Sequence, residues 1–528
     1  MNAAEIIRRQ EQLAGDRANF NTLWQEVAER VLPGEANFTT QSTPGEKRNE
    51  KVYDSTASLA LRKYAAIIES LSMPRTTQWH QLQPEEEGLE NVHSVKLYLE
   101  EVNKQLFRRR YAPRANFAAQ LGSINLSLGA FGNSPLFLDD MPVTGRRYKA
   151  IPLSELHFCE NHAGVVDTAY RRFRLSARNA VSQFGERTPM RIMSAVATNP
   201  DQLFCFIHCV KPLEADEIKK FPEGSQFSST YVSTETKEIV GEGVYYTFPY
   251  PVSRDITLSG EIYARSPAMW VLPGIKMLNE MKRTILRGAQ KAVDPPLLLT
   301  EDGALSGFSL RPGSLNAGAL TDQGLPLVVP LETRSRVELG IEMQQEEQKV
   351  INDSFYISLL QIITDSPQMT ATEVLQRAQE QGMLLGPVSG RQQEFAGQLI
   401  EREIDLDSQA GLLPPMPPEL AEAGGRYKIV YDNPLTRIQK SSAAVGILRT
   451  IEGLAPLAGL NPGIMDVFDQ DEMARELADA NGVPTKLERP PEEVAAIRKQ
   501  RADQQAAMQA VEALPKVAGA AKDVGLAA

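Results

Sequence analysis

The stretch from about Tyr263 to Arg402 constrains this chain most, because it alternates long helical periodicity with a segment that no helix can cross. The first helical run, WVLPGIKMLNEMKRTILRGAQKA, places Leu272, Ile275, Leu278, Met281, Ile285 and Ala289 three and four apart, an apolar stripe on one face. Lys276, Glu280, Arg283 and Arg287 lie opposite, a mostly basic stripe. Asp294-Pro295-Pro296 stops the run, since proline has no N–H to donate and restricts the residue before it. A Pro- and Gly-rich excursion of roughly forty residues follows, and then a second helical run, SRVELGIEMQQEEQKVINDSFYISLLQ. There Val337, Ile341, Ile351, Phe355 and Leu359 form the apolar face, and Glu338, Glu342, Gln345 and Lys349 a largely acidic one. At about 1.5 Å per residue the two helices are roughly 33 and 40 Å long. The pattern predicts an antiparallel pair with a small module at one end. One pair cannot bury both its flanks, so copies packed side by side in a ring are expected.

A third helix starts at MTATEVLQRAQEQ, where Thr370 and Glu373 fit the reciprocal side-chain cap of a first turn. Only a short loop precedes it: Ile363, Thr364, Asp365, Ser366, Pro367, Gln368 and Met369.

Three long phrases carry a resemblance. MTATEVLQRAQEQGMLLGP, SPAMWVLPGIKMLNEMKRTILRGAQKAVDPPLLL and KVYDSTASLALRKYAAIIESLSMPRTTQWHQL are similar to segments of the head-to-tail connector (portal) proteins of short-tailed bacteriophages. The similarity runs in order from about Arg17 to about Arg501. It implies an α+β, predominantly helical portal fold: a wing over 1–264, stem helices over 265–293 and 335–362, a clip over 294–334, and a tunnel loop over 363–369. A wing helix and connector over 370–435 and a C-terminal crown over 436–528 complete it. It further implies a homo-oligomeric ring of twelve at one capsid vertex of the virion, assembled in the bacterial cytoplasm. Double-stranded DNA passes through the ring. The expected partners are the terminase large subunit, the major capsid and scaffolding proteins, and a tail adaptor. Candidate channel charges are Lys276, Arg283, Arg287 and Lys349, with the tunnel loop Thr364–Met369 projecting toward DNA. Arg283 or Arg287 against Glu342 is an alternative, inter-helix role for two of them.

Composition is that of a multi-domain globular protein, with 528 residues, 42% hydrophobic and 23% charged. No run of 18 apolar residues exists, so no simple membrane-spanning helix is expected, and the N-terminus lacks an apolar signal core. A net charge of −11 argues against tight wrapping of nucleic acid, which needs a basic face, and is compatible with the DNA conduit that the resemblance implies. Cys159, Cys205 and Cys209 lie near His157, His162 and His208, but Cys205-x-x-His208-Cys209 is not a common zinc spacing. Buried strand cysteines are the better reading. There is no phosphate loop, no G-x-S-x-G elbow and no H-E-x-x-H, so neither catalysis nor a cofactor is expected. The competing class is a non-enzymatic helical scaffold or adaptor, against which the broken heptads and the excursion stand.

Elsewhere the periodicity predicts one helix over 1–32, helices over 53–70, 93–111 and 114–131, and strands across 133–264 interrupted by the helix SARNAVSQFG. Arg108-Arg109-Arg110 reads as an exposed helix end, in preference to a contact with nucleic acid or a capsid protein. GRYKIVYDNP reads as a strand, and 436–455, 464–481 and the run from Pro490 as helices.

Overall fold

The computed structural model describes residues 2–299 apart from 42, 44, 91, 142–144 and 215–218; 309–331 apart from 317 and 322; 337–357; 386–432; and, beyond those, 450–451, 467, 469–480, 487, 489 and 493–505. In chain order its elements are α1 (Ala3–Asp16), α2 (Ala18–Val31), α3 (Thr56–Ser72), β1 (His80–Pro84), α4 (His93–Arg110) and α5 (Phe117–Phe131). β2 (Asn133–Met141), β3 (Gly145–Ala150), β4 (Leu156–Glu160), β5 (Val166–Ser176), α6 (Ala177–Phe184) and α7 (Met190–Thr198) follow. Next come β6 (Leu203–Pro212), β7 (Phe227–Ser233), β8 (Glu238–Tyr245), β9 (Val252–Arg254), α8 (Leu272–Val293), β10 (Leu297–Leu299) and β11 (Val328–Pro330). The last are α9 (Val337–Ser354), α10 (Gly386–Gln409), α11 (Pro418–Glu422), β12 (Tyr427–Tyr431) and α12 (Gln470–Ala480). The architecture is α+β, with helices the larger share.

Two compact units emerge, 1–76 with 109–410, and 77–108 with 411–528. The first holds a five-stranded antiparallel sheet ordered β4-β5-β6-β7-β8 and a three-stranded sheet ordered β3-β2-β9. Side chains alternate across a strand, so each face of the five-stranded sheet collects its own cluster. Phe173, Phe204, Phe206 and Val240 pack with Ala177, Ala180 and Ile192 of α6 and α7. Tyr170, Ile207, Cys209 and Val232 pack on the other face with Ala3 and Ile6 of α1. Because both faces are covered, β6 reads as the nearly continuous apolar run LFCFIHCV rather than as an alternation. α1 is held at its start by Asn2 and Glu5, whose side chains each take the other's backbone N–H. A second core forms around Trp24, whose indole N–H donates to the Phe131 carbonyl and whose ring meets Phe20, Phe38 and Tyr263.

In the second unit β1 pairs antiparallel with β12, Trp79 packs edge-on against Phe107, and Asn103 donates to the His80 carbonyl. These contacts close a long sequence separation through one two-stranded ladder.

Several expectations are corrected. The predicted single helix over 1–32 is two, broken at Arg17. That residue is buried and donates to the carbonyls of Leu153 and Leu156, contacts a continuous surface helix would not allow. ITLSGEIYA forms no strand, only an isolated bridge between Ile256 and Arg265. The first long helix starts at Leu272, after a separate turn over Pro267–Trp270, because Pro273 suits only a first turn. The second is interrupted after Ser354, where Tyr356 takes a left-handed φ of 59°. Ile351 and Phe355 are buried as expected, but Ile341 is exposed, and Gln344 is buried with them. The third helical start at Thr370, residues 436–449 and 452–466 lie outside the described residues. GRYKIVYDNP does form a strand, and α12 falls within 464–481.

Candidate functional site

α8 and α9 form an antiparallel pair, and β10 and β11 between them pair antiparallel, Leu297 opposite Pro330 and Leu299 opposite Val328. Two small residues let the helices approach. A methyl group at Gly340 would meet the Ile285 side chain at 3.1 Å, and one at Gly274 would fall within the Glu347 carboxylate. Leu272, Ile275 and Leu278 are buried, as the apolar spacing predicts. Other apolar side chains of the pair are not: Met277, Leu286, Leu339, Met343 and Val350 are exposed along with Ile341.

The root of this pair is pinned by the segment Tyr53-Asp54, which leads into α3. Asn279 Oδ1 accepts from the backbone N–H of Tyr53 at 2.7 Å and of Asp54 at 3.0 Å, while its Nδ2 donates to the Ile275 carbonyl at 2.8 Å. Asp54 in turn accepts from Gln348 Nε2 at 3.1 Å and Gln344 Nε2 at 3.4 Å, and from the Thr56 N–H at 2.8 Å. A side chain this buried needs such donors, because burying its oxygens without partners is costly. Asp54 therefore ties α3 to α9, and Asn279 ties the same turn to α8. Sequence reading passed over Asn279, Gln344 and Gln348.

The four candidate channel charges occupy different surroundings. Lys276 pairs with Glu26 of α2. Arg283 pairs with Glu280 one turn away at 3.5 Å and lies over the Tyr53 ring, 5.6 Å from its centre. Arg287 and Lys349 are exposed. Thr364, Asp365, Ser366, Pro367, Gln368 and Met369 lie outside the described residues.

A second buried cluster gathers on α10. Arg110 meets Glu403 with neither side chain exposed, Arg109 and Arg146 both reach Asp407, and Arg146 also donates to the Glu403 carbonyl at 2.8 Å. Burial works against the charged Arg110 guanidinium, but Glu403 outweighs it and the pKa ends above its ordinary value. Burial, reinforced by Glu403, pushes the Tyr148 hydroxyl well above its usual range. Arg402 pairs with Asp139 at 3.2 Å and Asp405 at 2.9 Å, and Arg254 of β9 pairs with Glu160 and Glu394. The expectation that Arg108–Arg110 is an exposed helix end is thus corrected for two of the three. Only Arg108 is exposed, because the carboxylates that neutralise the others come from a helix nearly 300 residues away. The sole signal in EREIDLDSQ was a dense alternation of charge with Ile404 and Leu406, which reads equally well as a solvated face.

Cys159 lies in β4 and Cys205 and Cys209 in β6, strand cysteines as expected, but only Cys209 is buried; among the described residues no His, Cys, Asp and Glu group has the arrangement of a metal site. His208 is taken up instead by Tyr250 at 2.6 Å and Ser229 at 2.9 Å, stacked flat on Tyr231 at 3.9 Å. No helix among the described residues is long and apolar enough to cross a membrane.

The family model for the bacteriophage head to tail connecting protein matches residues 3–487. The chain belongs to this family. Among similar connector proteins, a probable portal protein of Bordetella phage BPP-1 is 28% identical over 539 residues, 98% of this chain and 95% of that one. A portal protein of Salmonella phage epsilon15 is 24% identical over 519 residues, covering 96% and 92%. Solved structures similar to this connector include a chain from the neck of an empty gene transfer agent particle. It has a TM-score of 0.34 and 11% identity over 75% of this chain and 86% of that one. A chain from a native gene transfer agent virion has a TM-score of 0.30 and 12% identity, over 70% and 89%. At those scores the structural likeness carries no argument; the sequence family does.

Proposed function

We propose that this connector-family chain closes into a ring of twelve copies at one capsid vertex, where it is the channel for DNA packaging and ejection. Membership of the family over nearly the whole chain is the observation that carries this reading. The antiparallel pair α8/α9 would be the stem, the segment with β10 and β11 the clip that meets terminase and then the tail adaptor, and 363–369 the tunnel loop. The stem's uncovered apolar side chains, among them Leu286, Leu339 and Met343, suit burial against neighbouring copies. Arg287 and Lys349, exposed and without a carboxylate among the described residues, are the better channel charges; Lys276 and Arg283 already have partners. The reading assigns no chemistry to the chain, and energy for DNA movement comes from the motor that docks on it.

Negative-stain microscopy with mass by light scattering tests it. Rings with a central hole and a mass near twelve times 58.3 kDa are expected. A stable dimer that forms no rings at any concentration would overturn the reading in favour of a helical scaffold or adaptor.

A further inference from the structure

Where α1 crosses the five-stranded sheet it leaves a cleft of about 390 Å³ beside β5, β6 and the β7–β8 turn. Residues 4, 7, 8 and 11 fall on one face of α1, so Arg8 and Glu11 look onto the sheet side by side. Arg172 of β5 and Lys237 of the turn line the facing wall, and Ile7 and Ile207 supply its apolar part. Three cations thus face one carboxylate in a chain whose net charge is −11.

These cations differ from the arginines gathered around α10. Arg110, Arg146, Arg254 and Arg402 each meet a carboxylate. Among the described residues Arg8, Arg172 and Lys237 meet none; the one side-chain contact of Arg172 is Nε donating to the Cys205 sulfur at 3.4 Å. A second observation points the same way. Gln10 also lines the cleft, is only 2% exposed, and its carboxamide oxygen has no hydrogen-bond partner. A buried carboxamide oxygen without a partner is costly, and it becomes satisfied if a hydroxyl of a bound ligand donates to it.

We infer that this cleft binds a phosphomonoester with a small organic body. Arg8, Arg172 and Lys237 against Glu11 leave a net charge of about two positive units, which matches a phosphate dianion. The volume exceeds a bare phosphate and falls in the range of small-ligand sites, and Ile7 and Ile207 face the carbon-bearing part.

Isothermal titration of the full-length protein at low salt, with ribose 5-phosphate, inorganic phosphate and ribose as probes, tests this. One ribose 5-phosphate per chain is expected, bound more tightly than phosphate, with ribose silent. Arg172→Ala and Lys237→Ala alter exposed side chains, and each should weaken binding by about tenfold, the effect of one lost charge-assisted contact. Glu11→Gln removes the opposing carboxylate and should tighten it, an outcome that misfolding cannot imitate. The inference is overturned if neither phosphate probe binds by about 10 mM, if ribose binds as well as its phosphate, or if the three substitutions leave affinity unchanged.

Discussion

Arg110 Nε donates to Glu403 Oε1 at 2.9 Å, while Nη2 of the same guanidinium donates to Oε2, and neither side chain is exposed to solvent. Removing one member of such a pair strands the other charge in a low-dielectric interior. Glu403→Ala should therefore cost about 3–5 kcal/mol, and the Arg110→Met/Glu403→Leu double variant substantially less. Denaturant unfolding of the two variants beside the parent checks the order. Equal losses in both would mean that packing volume, not charge, dominates here.

Asn279 closes the root of the helix pair through two backbone N–H groups rather than one. Asn279→Ala leaves both donors without that acceptor, at about 1–3 kcal/mol for a buried group left unsatisfied. Hydrogen exchange should show protection lost at the Tyr53 and Asp54 amides, with the five-stranded sheet unaffected. Unchanged protection at those two amides would refute the pinning role.

Acid should destabilise the fold partly through His157. Burial, with Arg17 and Arg172 adding to it, lowers its pKa from 6.5 to about 2. The folded imidazole stays neutral while the unfolded one takes a proton as pH falls below 6.5. The unfolded state therefore binds more protons across that window, and stability is complete above it and declines toward about pH 2. One such group contributes a slope of up to about 1.4 kcal/mol per pH unit. In His157→Gln, stability measured between pH 6 and 4 should fall less steeply by about that amount; an identical slope would count against it.

Gly132 ends α5 at φ 75°, and a methyl group there would stand 2.6 Å from the Ala264 carbonyl oxygen. Gly132→Ala combines left-handed strain of about 1–2 kcal/mol with a clash that only backbone movement relieves, together about 2–5 kcal/mol. Gly145→Ala, at φ 71° with open space around it, should cost only the strain. Melting temperatures of the two variants separate the contributions.

Deleting residues 364–369 bears on the proposed tunnel loop. On the proposed reading the long helices carry the contacts between copies, so rings should still assemble, but packaging or retention of DNA should be impaired. A deletion phage holding full-length genomes at normal yield would remove the role given to the loop.

Much of the architecture is legible in local pattern. The spacing of Leu272, Ile275 and Leu278 marks a helix and its buried face, and Pro295-Pro296 marks its end, because both signals depend only on backbone geometry within a turn or two. The run LFCFIHCVKP coincides with β6 for a similar reason: a strand covered on both faces has no polar side to interrupt it. The expected outward turn of Arg109 and Arg110 failed because it judged a charge by its neighbours in sequence. Glu403 and Asp407, which neutralise them, are brought by a helix nearly three hundred residues later.

By itself, then, the sequence determined the family, the helix–excursion–helix order, and which face of α8 turns inward, since these are written in phrases and periodicities of short range. Tertiary structure alone decided that Asn279 holds the turn before α3, that Ile341 faces outward while Gln344 is buried, and that α10 brings its carboxylates to three buried arginines, Arg110, Arg146 and Arg254. The physical reason is that a polar side chain's environment is set by whichever distant groups satisfy it, and the energy of satisfying a buried charge outweighs the local preference for exposure.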